Sequence, residues 1–116
     1  MVGKQLDSFR HAFQGLAVLV KTQKNARFHL VSTIIVIAVG FVLNIATVHW
    51  AIIALAIGAV WAAEALNTGL EFLADRVAPE WHELTGKAKD AAAGGVLAAS
   101  IAAAAAGFLI FLPYVL

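Results

Sequence analysis

The stretch FHLVSTIIVIAVGFVLNIATVHWAIIALAIGAVWAA, residues 28–63, runs for 36 residues without an Asp, Glu, Lys or Arg. A helix crossing the roughly 30 Å hydrocarbon core of a bilayer needs about 20 residues, so this run is too long for one passage and must turn back. The turn is expected at NIATVHW, where Asn44, His49 and Trp50 cluster and an aromatic ring can sit at headgroup level. A second charge-free run covers residues 91–116. With 62% hydrophobic residues and a mean hydropathy of +0.88 over 116 residues, lipid is the solvent for much of the chain. The expectation is an all-α membrane protein with an N-terminal surface helix over 4–24 and transmembrane helices over 29–45, 50–77 and 90–112. The most apolar parts of the last two are 50–72 and 91–112. No apolar run begins before residue 28, which argues against a cleaved leader. There is no cysteine, hence no disulfide framework and no thiol nucleophile.

Charge placement orients this arrangement. Lys4, Arg10, Lys21, Lys24 and Arg27 precede the first span, Arg76, Lys87 and Lys89 lie between the second and third, and the remaining loop and the C-terminus carry none. The positive-inside rule then puts the N-terminus in the cytoplasm and the C-terminus outside. Ahead of the spans, Leu6, Phe9, Phe13, Leu16 and Val20 recur at three- and four-residue steps, the pattern of an amphipathic helix lying in the interface. Such a helix can cover a site beside the membrane or serve only as an anchor. Between the second and third spans, RVAPEWHELTGKAKD (76–90) is polar. Pro79 should end the second helix near Val77 or Ala78, Gly86 is a candidate turn, and Lys87 to Asp90 should lead into the third helix. The small-residue tract AASIAAAAAG, 98–107, favours close helix packing in lipid.

The second span breaks its own rule at AAEALNTGLEFLAD, residues 62–75. At 100° per residue, Glu71 and Asp75 fall about 20° to either side of Glu64, with Asn67 about 60° away, so they form one polar stripe. Counting inward from Trp50 at 1.5 Å per residue, the cytoplasmic edge of the core falls near Leu70, which leaves Glu64 about 10 Å deeper than Glu71. Asp75 alone would suit a solvated helix end, and Glu71 can reach the interface. Glu64 is different, because a charge at mid-membrane costs at least about 2.5 to 3.5 kcal/mol and marks a functional site by default. As a base, Glu64 can accept the proton of a lipid hydroxyl. Glu71 can hold Mg²⁺, which takes a few carboxylate oxygens together with nucleotide phosphates, and Lys89 can neutralise phosphate charge. The same stripe also suits a proton or cation pathway in a small channel or transporter subunit. Neither G-x-x-x-x-G-K-[ST] nor G-x-G-x-x-G occurs, and His11, His29, His49 and His82 are scattered along the chain with His49 on the opposite side. On physical grounds the enzyme and the ion pathway both stand.

The stretch EALNTGLEFLAD, Glu64 to Asp75, resembles the signature E-x-x-N-[ST]-small-apolar-E-x-x-x-D of the small prokaryotic diacylglycerol kinases, a family that includes the undecaprenol kinases. HELTGKAKD, His82 to Asp90, is similar to a second family segment, and SFRHAFQGL (8–16) with NARFHL (25–30) is similar to the undecaprenol kinase branch. The resemblance implies a homotrimeric kinase of the bacterial cytoplasmic membrane that moves the γ-phosphate of MgATP to a lipid alcohol at sites composed between subunits, with no nucleic acid partner. By position it implies Glu64 as general base, Glu71 as metal ligand, Asn67 and Asp75 as supports, and Lys89, Asp90, Glu80, Trp81, His82, Lys4 and His11 around the nucleotide. In one departure, Gln23 stands where the family often carries a second metal-binding Glu, so either the metal site has one protein carboxylate fewer or a neighbour such as Asp75 compensates, and a catalytically weak relative with a regulatory or assembly role is a further reading. Ala74 is smaller than is usual at its position.

Overall fold

The computed structural model describes residues 2–116 as four helices: α1 (Val2–Thr22), α2 (Lys24–Leu43), α3 (Thr47–Val77) and α4 (Glu83–Val115). Helices α2, α3 and α4 are each long and apolar enough to cross a membrane. Among the described residues the buried apolar core consists of Leu19, Ala26, Ile45, Ile53, Val60 and Ile110, while Ile34, Ile35, Leu55, Leu97, Ile101, Phe108 and Leu109 stand exposed. A water-soluble domain does not display such continuous apolar surface. In a bilayer lipid tails cover it, and interhelical packing and hydrogen bonds hold the helices together.

The connections follow from local chemistry. At Gln23 the backbone is extended (φ −110°, ψ 119°), which separates α1 from α2. The Arg27 guanidinium reaches back to the carbonyls of Val20 and Lys21, both at 3.1 Å, and so satisfies the carbonyl end of α1 with a cation. Leu19 and Ala26 fill the inside of this elbow.

Helix α2 ends in a Schellman turn at the expected place. Asn44 is left-handed (φ 51°), the Ile45 N–H donates to Gly40 O and the Asn44 N–H to Phe41 O, each at 3.2 Å. Asparagine tolerates this conformation better than other residues with a Cβ. Gly40 is required for a second reason, since a Cβ there would lie 2.6 Å from the Trp50 ring, which lies on the α2 backbone and against Phe41.

Helix α4 returns along α3, the most extensive interhelical contact in the molecule. Its outer end is fixed by the Tyr114 hydroxyl, which accepts from the Ala46 N–H at 3.0 Å and lies 2.8 Å from His49 Nδ1. The one hydroxyl thus ties the backbone at the start of α3 and the His49 ring to the end of α4. Ile45, Ile53 and Ile110 pack beneath this knot with Leu43, Trp50 and Phe111 around them.

Two local expectations are corrected. Gly86 is not a turn but lies inside α4, its N–H bonded to His82 O at 2.9 Å. Helix α4 starts at Glu83 rather than at 90 because His82 caps it, its Nδ1 accepting from the Leu84 N–H at 3.1 Å. At the other end α4 continues through Pro113 to Val115, beyond the expected 112. A proline this near a helix end withholds a single N–H from the ladder. The other helix limits differ by a few residues: α1 runs over 2–22 rather than 4–24, α2 over 24–43 rather than 29–45, and α3 begins at Thr47 rather than 50.

Candidate active site

The polar stripe of α3 passes from full burial to exposure as it approaches the polar end of the molecule. Glu64 and Thr68 are each 2% exposed, Asn67 and Glu71 are half-buried, and Asp75 is exposed. Within five residues, three buried polar atoms have no hydrogen-bond partner: Glu64 Oε2, Asn67 Oδ1 and Thr68 Oγ1. The Thr68 hydroxyl does not even take the carbonyl one turn back, as Ser8, Thr22 and Thr33 do. Leaving a buried polar group unpaired costs about 1 to 3 kcal/mol. A cluster of them therefore marks a place where a ligand or another chain supplies the missing partners.

One side chain does approach. His29, 12% exposed on α2, places Nε2 3.6 Å from Glu64 Oε2. The sequence points to no role for His29, although it lies within NARFHL. The polar residues of α2 cluster at its start and its apolar residues surround the axis, so no helical periodicity says which face meets α3. One turn outward, Trp61 Nε1 donates to Thr33 Oγ1 at 3.1 Å and ties the same two helices.

At the exposed end of the stripe, Lys89 Nζ donates to Asp75 Oδ1 at 2.7 Å and joins the end of α3 to the start of α4. The Asp75 hydrogen bond, with further attraction from the Asp75 and Glu71 charges, raises the Lys89 ammonium above its ordinary range against a smaller opposing effect of desolvation. A raised value keeps Lys89 cationic at all physiological pH. The stability it contributes is complete below the unfolded value near 10.5 and is lost only as pH rises beyond it through the folded value.

Asp75, Glu71 and Lys89 are thus brought together, with Asp90 exposed next to Lys89. Glu80, Trp81 and His82 form the exposed linker between α3 and α4, with Trp81 85% exposed. His82 uses Nδ1 as the α4 cap. Lys4 and His11 lie on one exposed face of α1. There His11 Nδ1 is 3.3 Å from Gln14 Oε1, and no ion pair or hydrogen bond ties either residue to the stripe within one chain. Gln23 donates from Nε2 to Thr22 Oγ1 at 3.1 Å, which leaves its amide oxygen as the group able to meet a cation. Among the described residues no three His, Cys, Asp or Glu side chains gather as a cation site.

The stripe lies within the part of the chain that known proteins match. The family described as prokaryotic diacylglycerol kinase matches residues 10–111. The chain is 38% identical over 106 residues to the undecaprenol kinase of Bacillus subtilis (strain 168), covering 91% of this chain and 86% of that one. It is 40% identical over 109 residues to a diacylglycerol kinase of Synechocystis, covering 93% of this chain but only 62% of the relative. To the diacylglycerol kinase of Haemophilus influenzae it is 30% identical over 94 residues, covering 81% and 80%. These matches extend through the α3 stripe and the Lys89–Asp90 pair, and the chain belongs to the prokaryotic diacylglycerol kinase family.

Proposed function

We propose that the chain transfers the γ-phosphoryl group of ATP to the primary hydroxyl of a membrane lipid alcohol, a polyprenol or a diacylglycerol, at the cytoplasmic face of the bacterial inner membrane. The observation that carries this reading is the buried Glu64 carboxylate, set beside the unpaired Asn67 and Thr68 oxygens in a stripe that leads to a cationic, exposed end. Family membership decides between this reading and an ion pathway.

In the reaction the lipid hydroxyl gives its proton to Glu64 as its oxygen bonds to the γ-phosphorus and the bond to the ADP oxygen breaks. Positioning and charge neutralisation supply most of the catalysis in such transfers. Asn67 Oδ1 and Thr68 Oγ1 offer the lipid head the partners they lack in the chain alone. Lys89 and Asp90 meet the nucleotide, with Lys89 shared between Asp75 and phosphate. Glu80, Trp81 and His82 border it from the linker, where the exposed Trp81 ring is free to stack on a base. The donor set suits Mg²⁺ in part: Glu71 provides one half-buried carboxylate, and Gln23 an uncharged amide oxygen. When bound, Mg²⁺ would neutralise charge on the β- and γ-phosphates.

The assembly is a homotrimer with sites completed between subunits. Two features support it: Lys4 and His11 stand apart from the stripe of their own chain, and the unpaired stripe atoms await partners. Helix α1 lies in the interface, its Leu6, Phe9 and Phe13 between 64% and 69% exposed and so available to lipid. The spans lie within α2, α3 and α4, with the N-terminus cytoplasmic and the C-terminus outside, an orientation that the distribution of Lys and Arg supports.

The test is reconstitution with MgATP and either undecaprenol or diacylglycerol, reading labelled phosphate in the lipid phase. Transfer to one of them is expected and names the substrate. Transfer to neither by a folded trimer would contradict the reading.

A further inference from the structure

Among the described residues His29 is the side chain that comes within ion-pair range of the buried Glu64 oxygen, and its place is fixed by more than proximity. Thr33 Oγ1 accepts from Trp61 Nε1 at 3.1 Å and donates to the His29 carbonyl at 2.7 Å. This rivets α2 to α3 one turn outward of the pair. The helices are antiparallel, so moving from Trp61 to Glu64 along α3 is matched by moving from Thr33 to His29 along α2, about one turn in each case. The imidazole is thereby held against the carboxylate, with Nε2 3.6 Å from Oε2 and the two side chains 12% and 2% exposed. On its other side His29 lines an apolar cavity of about 280 Å³ with Val36, Ile53, Val60 and Ala103. No competing charged group lines that cavity.

We propose that His29 is a positioning residue for the phosphoryl transfer. Its Nε2–H donates to Glu64 Oε2, fixes the plane of the carboxylate and leaves Oε1 to face the lipid hydroxyl. The hydroxyl proton passes to Oε1 as the new P–O bond forms and the bond to the ADP oxygen breaks. His29 keeps its own proton throughout. The distance of 3.6 Å is long for a finished hydrogen bond and closes by a small movement when substrate arrives, as catalytic hydrogen bonds commonly do. This inference rests on Glu64 being the base.

The test compares His29→Gln, whose side-chain amide can still donate near the Nε2 position, with His29→Leu, which cannot, in reconstituted full-length protein. His29→Leu is expected to lower kcat by roughly 30- to 100-fold with KM for ATP and lipid within about threefold of wild type, and His29→Gln to recover to within about fivefold. A kcat within threefold of wild type for the Leu variant, equal impairment of both variants, or a loss confined to lipid KM would overturn the proposal. A second measurement leaves His29 in place: ¹⁵N-histidine spectra of wild type and Glu64→Gln. The His29 Nε2 signal should move on removal of the carboxylate charge, and an unmoved signal would overturn the proposal even if both His29 variants fail to fold. Absence of phosphoryl transfer by the wild type would instead count against the kinase reading, while the spectra still decide whether the pair exists.

Discussion

The two ends of the α3–α4 pair are built to opposite standards. At the outer end the groups that shape the turn are hydrogen-bonded. The Tyr114 hydroxyl serves both Ala46 and His49, the Schellman turn satisfies the last carbonyls of α2, and Ile45, Ile53 and Ile110 close beneath them. Toward the inner end, Glu64, Asn67 and Thr68 present three buried atoms without partners. A fold that satisfies its polar groups so thoroughly at one end is capable of doing so at the other. The difference separates a region that holds the molecule together from one that holds something else, and it implies that polar deletions act on stability outside and on activity inside.

The largest effect expected among the supporting residues comes from the cationic edge of the inner end. Lys89→Ala should raise the KM for ATP by roughly tenfold or more while the lipid KM changes little, because one phosphate-neutralising charge is lost. A rise confined to the lipid KM would remove Lys89 from the nucleotide site.

Thr68→Val sharpens the comparison further. It removes an unpaired buried hydroxyl with little change of shape, so the folded protein should be as stable as wild type or about 1 kcal/mol more so, while kcat falls by roughly tenfold. Denaturation of the detergent-solubilised protein and turnover in vesicles check the two halves, and a stability loss with normal turnover would break the distinction.

Tyr114→Phe should show the reverse and the smallest kinetic effect. Losing the hydroxyl's two hydrogen bonds at the outer end should cost about 1 to 2 kcal/mol, with kcat and both KM values within twofold of wild type. A large fall in turnover would mean that the outer end is coupled to the chemistry.

Much of this arrangement was legible in the sequence, and the illegible parts share a physical cause. The charge-free run of 28–63 demanded a turn, and Asn44, able to adopt the left-handed conformation, marked it. The stripe from Glu64 to Asp75 was visible because helix periodicity within a single element fixes which residues share a face. Gly86 was misread because a glycine permits a turn without requiring one, and the cap that decides the start of α4 comes from His82, whose ring nitrogen rather than a hydroxyl or carboxylate does the capping. The approach of His29 to Glu64 depends on how α2 is rotated about its axis, and a helix whose apolar residues are spread evenly around that axis records no rotation in its sequence. Thr68 lay within the family pattern, but only its burial without a partner shows that its hydroxyl waits for one.

The central claim is that the buried carboxylate takes the proton from the lipid alcohol. Glu64→Gln keeps the size and shape of the side chain and removes the base, so in reconstituted vesicles it should lower kcat by about 10²- to 10⁴-fold while trimer assembly and ATP binding persist. Turnover within a few-fold of wild type by a folded, ATP-binding Glu64→Gln protein would contradict the account.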